Sequence, residues 1–311
     1  SALFWILYGR IIISIKFVLF ISIALLFLNG CAEDLFNGSD KNYNPVFNFG
    51  SDSTFEVITW NVQNFAKQDN VTVDFLVSFI NQLSPDVVCL QEIEEKNYFQ
   101  ELVNRLENYS GHYENSSSYN LDLAVLYLND LVMISIDEVY TDDWWSFPRS
   151  PQIIQLYWKN HEIILINNHY KANDNATNDD ENRRISASQK LDDYIVSNFS
   201  FNNVIILGDL NDELTESEDD NVFWTFISKP EEYLFVDMDI ASGSQDYWSF
   251  PTWPSHLDHI LITNELFDEF ESIGSSVQTI KIEDYIDGGW GEYEHFISDH
   301  RPVGLSLVFD P

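Results

Sequence analysis

The chain has 311 residues, 45% hydrophobic and 15% aromatic. That is enough apolar material for one large core, and the length admits one or two domains. The 15 Lys and Arg stand against 51 Asp and Glu, a formal charge of −36, which argues against tight, non-specific polyanion binding without excluding a locally neutralised cleft. A solubilising or salt-tolerant surface is the general reading of such acidity. No internal repeat or long low-complexity linker divides the chain, which favours one domain of catalytic size behind an N-terminal leader.

Residues 1–30 carry Arg10 and Lys16 as their only charges, ahead of the apolar run FVLFISIALLFLNG and then Cys31. A short basic region, an apolar stretch and a small residue before a cut site describe a secretory signal. LNGC is similar to the lipobox of bacterial lipoproteins, with Asn29 where a smaller residue is usual. The expectation is a signal peptide over 1–30, a lipidated Cys31, and an exported lipoprotein held on a membrane outside the cytoplasm. A non-cleaved anchor is the alternative, since IIISIKFVLFISIALLFL is nearly long enough to span a bilayer, but Lys16 interrupts it. Removing Arg10 and Lys16 leaves 13 basic residues against 51 acidic ones, or −38. Residues 31–54, rich in Asn, Asp, Gly and Ser, read as a flexible tether, and 55–311 as the domain. Cys89, the only cysteine after Cys31, lies inside the apolar DVVCLQ and reads as a small core residue. With no intramolecular disulfide, zinc cluster or Cys/His pair in view, the fold must hold by packing.

From residue 55 short apolar strands alternate with helices. FEVITWNV and DVVCLQEI are strand-like, and NVTVDFLVSFINQL and NYFQELVNRLENY have helical periodicity on either side of the second. LDLAVLYL with LVMISIDEVY, and PQIIQLYW with EIILINNHY, are pairs separated by short polar breaks, as in hairpins. A helix around RRISASQKLDDYIVSNF leads into NVIILGDL, followed by LDHILIT, VQTIKIED and VGLSLVF. Mixed hairpin and helical connections predict two packed sheets with helices outside.

Polar residues gather where these strands end. Asn61 ends the first in TWNVQNF, Glu92 the second in LQEI, and His169 a later one in NNHYK. Asp209 and Asn211 end ILGDLND, Asp258 heads LDHIL, and Asp299 with His300 precedes the last strand in SDHRPV. Asn and Asp cap and turn readily, so one such residue is unremarkable. Six strand ends bearing Asn, Glu, His or Asp are not loop chemistry.

Over about residues 55–310 the sequence resembles the metal-dependent endonuclease/exonuclease/phosphatase superfamily, which includes DNase I-like nucleases, sphingomyelinases and inositol-polyphosphate phosphatases. LGDLND and SDHRP are the most specific of the motifs that carry it. The resemblance implies a four-layer α/β/β/α sandwich of two mixed sheets, with the active site where the strand tips converge. It also implies Mg²⁺ or Mn²⁺, hard ions that prefer carboxylate and amide oxygens. Glu92 is then the principal ligand, with Asn61 and Asp299 nearby. His300 resembles the family's general base, with Asp258 orienting its ring. Asp209 and Asn211 would position nucleophile and phosphate, and His169 would donate to a phosphate oxygen. Arg149, in SFPRSP, matches a phosphate-contacting Arg of several members, and Lys171 beside His169 is a second candidate. In DNase-type relatives a carboxylate supports the phosphate-binding His from the strand matched by NLDLAVLY. No acid falls at that position here, and Asp122 is the nearest substitute. Trp144, Trp145, Trp248 and Trp253 flank loops near the expected site, where they would stack on bases or sugars or anchor the loops to the core. His256 and His259 read as packing neighbours of Asp258.

Three functions are compatible with these residues. An extracytoplasmic phosphodiesterase or nuclease is favoured. A phosphatase or phospholipase C-like hydrolase of lipid or small phosphate esters is the alternative, and a non-catalytic surface protein the third. The expected partners are a phosphodiester substrate, nucleic acid among the candidates, and a membrane through Cys31, with no protein partner.

Overall fold

In a computed structural model the described residues are 47, 49–115, 117, 120–173 and 179–309, so the expected leader, Cys31 and most of the tether lie outside them. No helix among the described residues is long and apolar enough to cross a membrane. Among the described residues twelve strands run in chain order: β1 (Thr54–Phe65), β2 (Val87–Ile93), β3 (Tyr109–Tyr113), β4 (Asp122–Leu128), β5 (Val132–Glu138), β6 (Gln152–Trp158), β7 (His161–His169), β8 (Asn203–Asp209), β9 (Tyr233–Phe235), β10 (Asp258–Thr263), β11 (Ser276–Thr279) and β12 (Val303–Val308). The longer helices are α1 (Asn70–Leu83), α2 (Lys96–Arg105) and α3 (Asp180–Asn198).

Two six-stranded sheets result, ordered β11-β12-β1-β2-β4-β3 and β5-β6-β7-β8-β10-β9. β1 and β2 pair in parallel, as do β7 and β8, and the other neighbours are antiparallel. Parallel neighbours need a crossover, which α1 and α3 supply. The strand period of two sends alternate side chains to opposite layers. In β7, Ile163 and Leu165 join Val57, Cys89 and Leu305 of the first sheet in the core between the sheets. Ile164 and Ile166 face the other way, onto Ala187, Leu191 and Ile195 of α3. Each such side chain contributes about 1.5–3 kcal/mol on burial. α1 buries Val73, Leu76, Ile80 and Leu83 along one stripe, and Ser84, left-handed at φ 49° with its N–H on the Ile80 carbonyl, ends it ahead of Pro85. These layers form the expected α/β/β/α sandwich.

Two expectations are corrected. LDLAVLYL and LVMISIDEVY do not form a hairpin: β4 lies in the first sheet and β5 in the second, so the break at Asn129 and Asp130 carries the chain between layers. The expected tether over 31–54 gives way to packed chain by Phe47, whose ring lies 4.5 Å from that of Tyr285. Phe49 is buried over Gly304, where a Cβ would come within 2.6 Å of its ring.

Candidate active site

The strand register brings the polar strand ends together. β7 and β8 match His169 with Asp209, and β8 with β10 matches Asp209 with Asp258. Gly208 makes this possible. Its φ is +149°, and a Cβ there would sit 2.0 Å from the Asn168 carbonyl oxygen, so only glycine lets the two backbones close beside the site. β1 and β2 converge with a register shift after Asn61, where Gln63, Asn64 and Glu92 all take positive φ. Asn211 does the same at 53°. Such conformations cost free energy in non-glycine residues and collect where the surrounding structure enforces them.

Asn61 bridges the acids from the two sheets, its Nδ2 donating to Glu92 Oε1 at 3.1 Å and to Asp209 Oδ2 at 2.9 Å. The Asn61 Oδ1 accepts from the Gln63 amide, so here Asn61 clamps two carboxylates rather than facing the cleft with its oxygen. Glu92 Oε2 accepts from the Asn64 amide, and Asp299 Oδ2 from Gln63 Nε2 at 2.8 Å. The SDHRP turn is stitched to β1: Ser298 Oγ donates to the Asn61 carbonyl and accepts from the His300 amide.

His300 Nδ1 lies 2.7 Å from Asp258 Oδ2, and its Nε2 is 3.8 Å from Asp209 Oδ2. Tyr293, held by Trp60 Nε1, donates to the His300 carbonyl at 2.6 Å, and the ring of Phe250 packs 4.7 Å from the imidazole. Burial alone pulls the His300 pKa down, but the Asp258 and Asp209 carboxylates and the bond to Asp258 carry it up to about 10. Asp209 rises to about 7, through burial first and then the repulsion of Asp258 and Glu92, which outweigh His300 and the Asn61 bond. Burial, with Glu92 adding repulsion, also raises Asp299. His169 goes the other way: burial, then Arg149 and His300, hold it well below the ordinary histidine value, so the ring is neutral. Its Nε2 is 3.4 Å from Asp209 Oδ2, while the buried Nδ1 has no partner among the described residues.

These side chains open onto a cleft of about 1110 Å³. Glu92, Arg149, His169, Asp209, Asn211, Asp299 and His300 line it, while Asn61 and Asp258 are buried behind. Lys171 does not reach it: the ammonium pairs with Asp180 at the start of α3, at 3.1 Å. Asp122 does not support His169 either, because its carboxylate holds Lys96 at 2.9 Å and the Ser117 amide. Trp144, Trp145 and Trp253 are exposed, Trp248 donates to the Ile240 carbonyl, and none of the four lines the cleft. Sequence reasoning missed Gln63, Asn64 and Phe250, whose types carry no motif of their own.

A crowded set of hard oxygen donors, two of them raised in pKa by burial first and then by neighbouring carboxylates, fits a hard divalent cation at Glu92 and Asp299. With an oriented imidazole, a neutral imidazole and a buried arginine around it, this is the site of a phosphoester hydrolase. Residues 58–300 match the Endonuclease/Exonuclease/phosphatase family, and the chain belongs to it. No curated protein matches the chain. Among solved structures, it is similar to D. rerio TDP2 complexed with single-strand DNA product (18% identity, 82% of this chain and 99% of that one, TM-score 0.60). It is also similar to the human Nocturnin catalytic domain with bound sulfate anion (18%, 83% and 95%, 0.59). A third similar structure is the Bacteroides thetaiotaomicron mannosyl-6-phosphatase Bt3783 (13%, 82% and 100%, 0.58). At these identities the likeness is one of fold.

Proposed function

We propose that the chain is a divalent-metal-dependent phosphoesterase, using Mg²⁺ or Mn²⁺, that hydrolyses a compact phosphate ester outside the cytoplasm. The observation that carries the compact-substrate reading is the charge of the cleft. Glu92, Glu181, Asp209, Asp212, Glu213, Glu216, Asp220 and Asp299 line it, against Arg149 and Arg184. Arg184 is engaged with Asp212 at 2.8 Å, and Arg149 lines the cleft close enough to His169 to lower its pKa, which places its positive charge where a phosphate would bind. Burial and Asp212 push Glu216 up to about 7, a mark of the same excess of acid. Such walls suit one or two phosphates and oppose a long polyanion. A nuclease is the second reading, supported by the TDP2 structure with its DNA product. The lipobox-like LNGC supports export and attachment at Cys31.

When bound, the cation neutralises charge growing on the phosphate oxygens and lowers the pKa of water. The protein does the rest. Asp258 holds Nδ1–H of His300 and turns Nε2 toward Asp209. Asp209 and Asp299, which help to raise the pKa of that ring, would be partly neutralised by a bound cation, and Nε2 would then be the atom that takes the proton of the attacking water. Asp209, whose Oδ1 accepts from the Asn211 amide at 3.1 Å, aligns that water, and the Asn211 side chain is fixed through the Tyr170 carbonyl. Neutral His169 presents Nε2–H to a phosphate or leaving oxygen. Arg149 meets the equatorial charge.

The test is a substrate panel, comparing bis(p-nitrophenyl) phosphate, sugar phosphates, phosphoinositides, sphingomyelin, RNA, and single-stranded and plasmid DNA with Mg²⁺, Mn²⁺ and Ca²⁺. Turnover of compact esters that vanishes with EDTA is expected. Turnover indifferent to EDTA overturns the metal-dependent reading. Efficient DNA cleavage with a steep salt dependence, near that of a protein contacting six or more phosphates, overturns the compact-substrate reading.

A further inference from the structure

Behind the site lies a second cluster of ionisable groups, which the mechanism above does not use. Asp237, two residues beyond β9, is fully buried with His259, while His256 is 2% exposed. Asp237 Oδ2 is 2.6 Å from His259 Nδ1 and 3.1 Å from His256 Nε2, and its Oδ1 accepts from the Ile260 amide at 2.9 Å. The other nitrogen of His259 lies 2.8 Å from the Asp212 carbonyl. Both nitrogens of that ring therefore face oxygens that only accept, and satisfying both requires both to carry hydrogen. His256 differs: its Nδ1 accepts from the Ser249 amide, so its Nε2 is the donor.

We propose that Asp237, acting through His259 and His256, is a positioning brace that sets the Asn211 loop and the Asp258–His300 pair against each other. One arm runs from Asp237 through His259 to the carbonyl of Asp212, the residue after Asn211, and so holds the loop that bears the left-handed Asn211. The other arm runs through His256 to Ser249, whose Oγ accepts from the Asp258 amide at 3.1 Å and whose carbonyl accepts from the Arg301 amide at 2.7 Å. Residues that flank both halves of the chemistry thus meet on one carboxylate. Arg184 secures the Asp212 side chain and also donates to the Lys171 carbonyl, while His259 holds the Asp212 carbonyl.

The same three residues could be taken for a metal centre, and their spacing argues against it. Two ligands on a tetrahedral ion with bonds of 2.0–2.1 Å lie about 3.3 Å apart. The 2.6 and 3.1 Å separations here are those of hydrogen bonds.

The proposal rests on the assignment of Asn211 and Asp258 to the phosphoester site, so its test has one readout that needs no substrate. Hydrogen exchange of the full chain would be followed in His259→Phe, which loses both donors, and His259→Gln, which keeps a side-chain donor. The expected result is faster exchange over 211–214 in His259→Phe, by about tenfold or more, with β1 and β2 unchanged and protection recovered in His259→Gln. Turnover of bis(p-nitrophenyl) phosphate should fall roughly 10- to 10²-fold in kcat with little change in KM. In an Asn211→Ala background the same change should add little. Unchanged exchange over 211–214, losses that multiply fully with Asn211→Ala, or a stoichiometric metal removed by Asp237→Asn would each overturn the brace. A wild-type chain without phosphoesterase activity would instead overturn the proposed function, and the exchange result would still decide the brace.

Discussion

At one end of the parallel pair β1 and β2 stand Asn61 and Glu92; at the other stand Glu56 and Asp86. Both ends crowd carboxyl groups into poorly solvated space, and at both a carboxyl pKa rises to about 7, in Asp209 and in Glu56, with burial the leading cause. What surrounds them differs. The first end has two imidazoles, two arginines and an open cleft of about 1110 Å³. The second opens on about 570 Å³ and is lined by neither histidine nor arginine. There Glu56 accepts from the Ser51 amide and Thr54 Oγ1, and Asp86 accepts from the Glu56 amide. Acid crowding alone does not define a catalytic end. An aimed imidazole and room for a substrate do.

Removing the cation should break the comparison most completely. Chelation, or Glu92→Gln, is expected to reduce hydrolysis to background, because several kcal/mol of charge stabilisation go with the ion. Glu56→Gln should leave turnover alone. Steady-state rates with and without EDTA check both halves.

Next in size is the imidazole. His300→Ala should slow the chemical step roughly 10²–10⁴-fold. Asp258→Asn should lose part of that, and the double variant should be little worse than His300→Ala, since the pair acts as a unit. Single-turnover kinetics separate this from fully multiplicative losses, which would refute the pairing.

Arg149→Ala should lower kcat/KM on a phosphate ester by roughly 10- to 10²-fold, the worth of charge-assisted hydrogen bonds to a phosphate. Lys171→Ala, by contrast, should act on stability through the lost pair with Asp180. Kinetics on both variants alongside their melting curves would distinguish the two cations.

The smallest effect lies at the quiet end and is one of pH. Folded Glu56 binds its proton more tightly than the unfolded chain, so unfolding releases a proton between about pH 4.5 and 7. Its contribution to stability is complete below that window and is lost as the pH rises through about 7. Asp86 is shifted in the same direction, chiefly by burial. Denaturant melts should show Glu56→Gln flattening this decline and gaining on the wild type at pH 8.

Much of the site was legible because strand ends announce themselves: an apolar run stops and Asn61, Glu92, His169 or Asp209 follows. The sandwich was legible for a related reason, since alternating apolar residues mark each strand and α1 spans the very residues of its helical pattern. What failed depended on partners remote in sequence. Lys171 reads as a phosphate ligand until Asp180 takes it, and Asp122 as a support for His169 until Lys96 does. Asn129 and Asp130 suit a hairpin as well as a crossing between sheets. Asp237 and His259 are 22 residues apart, and nothing local indicates that they touch.

Cys89 sits at the centre of the sandwich, fully buried between the two sheets, with burial pushing its thiol far above the ordinary range. In that state it offers no thiolate to an alkylating reagent. Its labelling must wait until the sheets part, so the rate of alkylation at this one position is a built-in clock for opening of the core, read by mass spectrometry without any added probe.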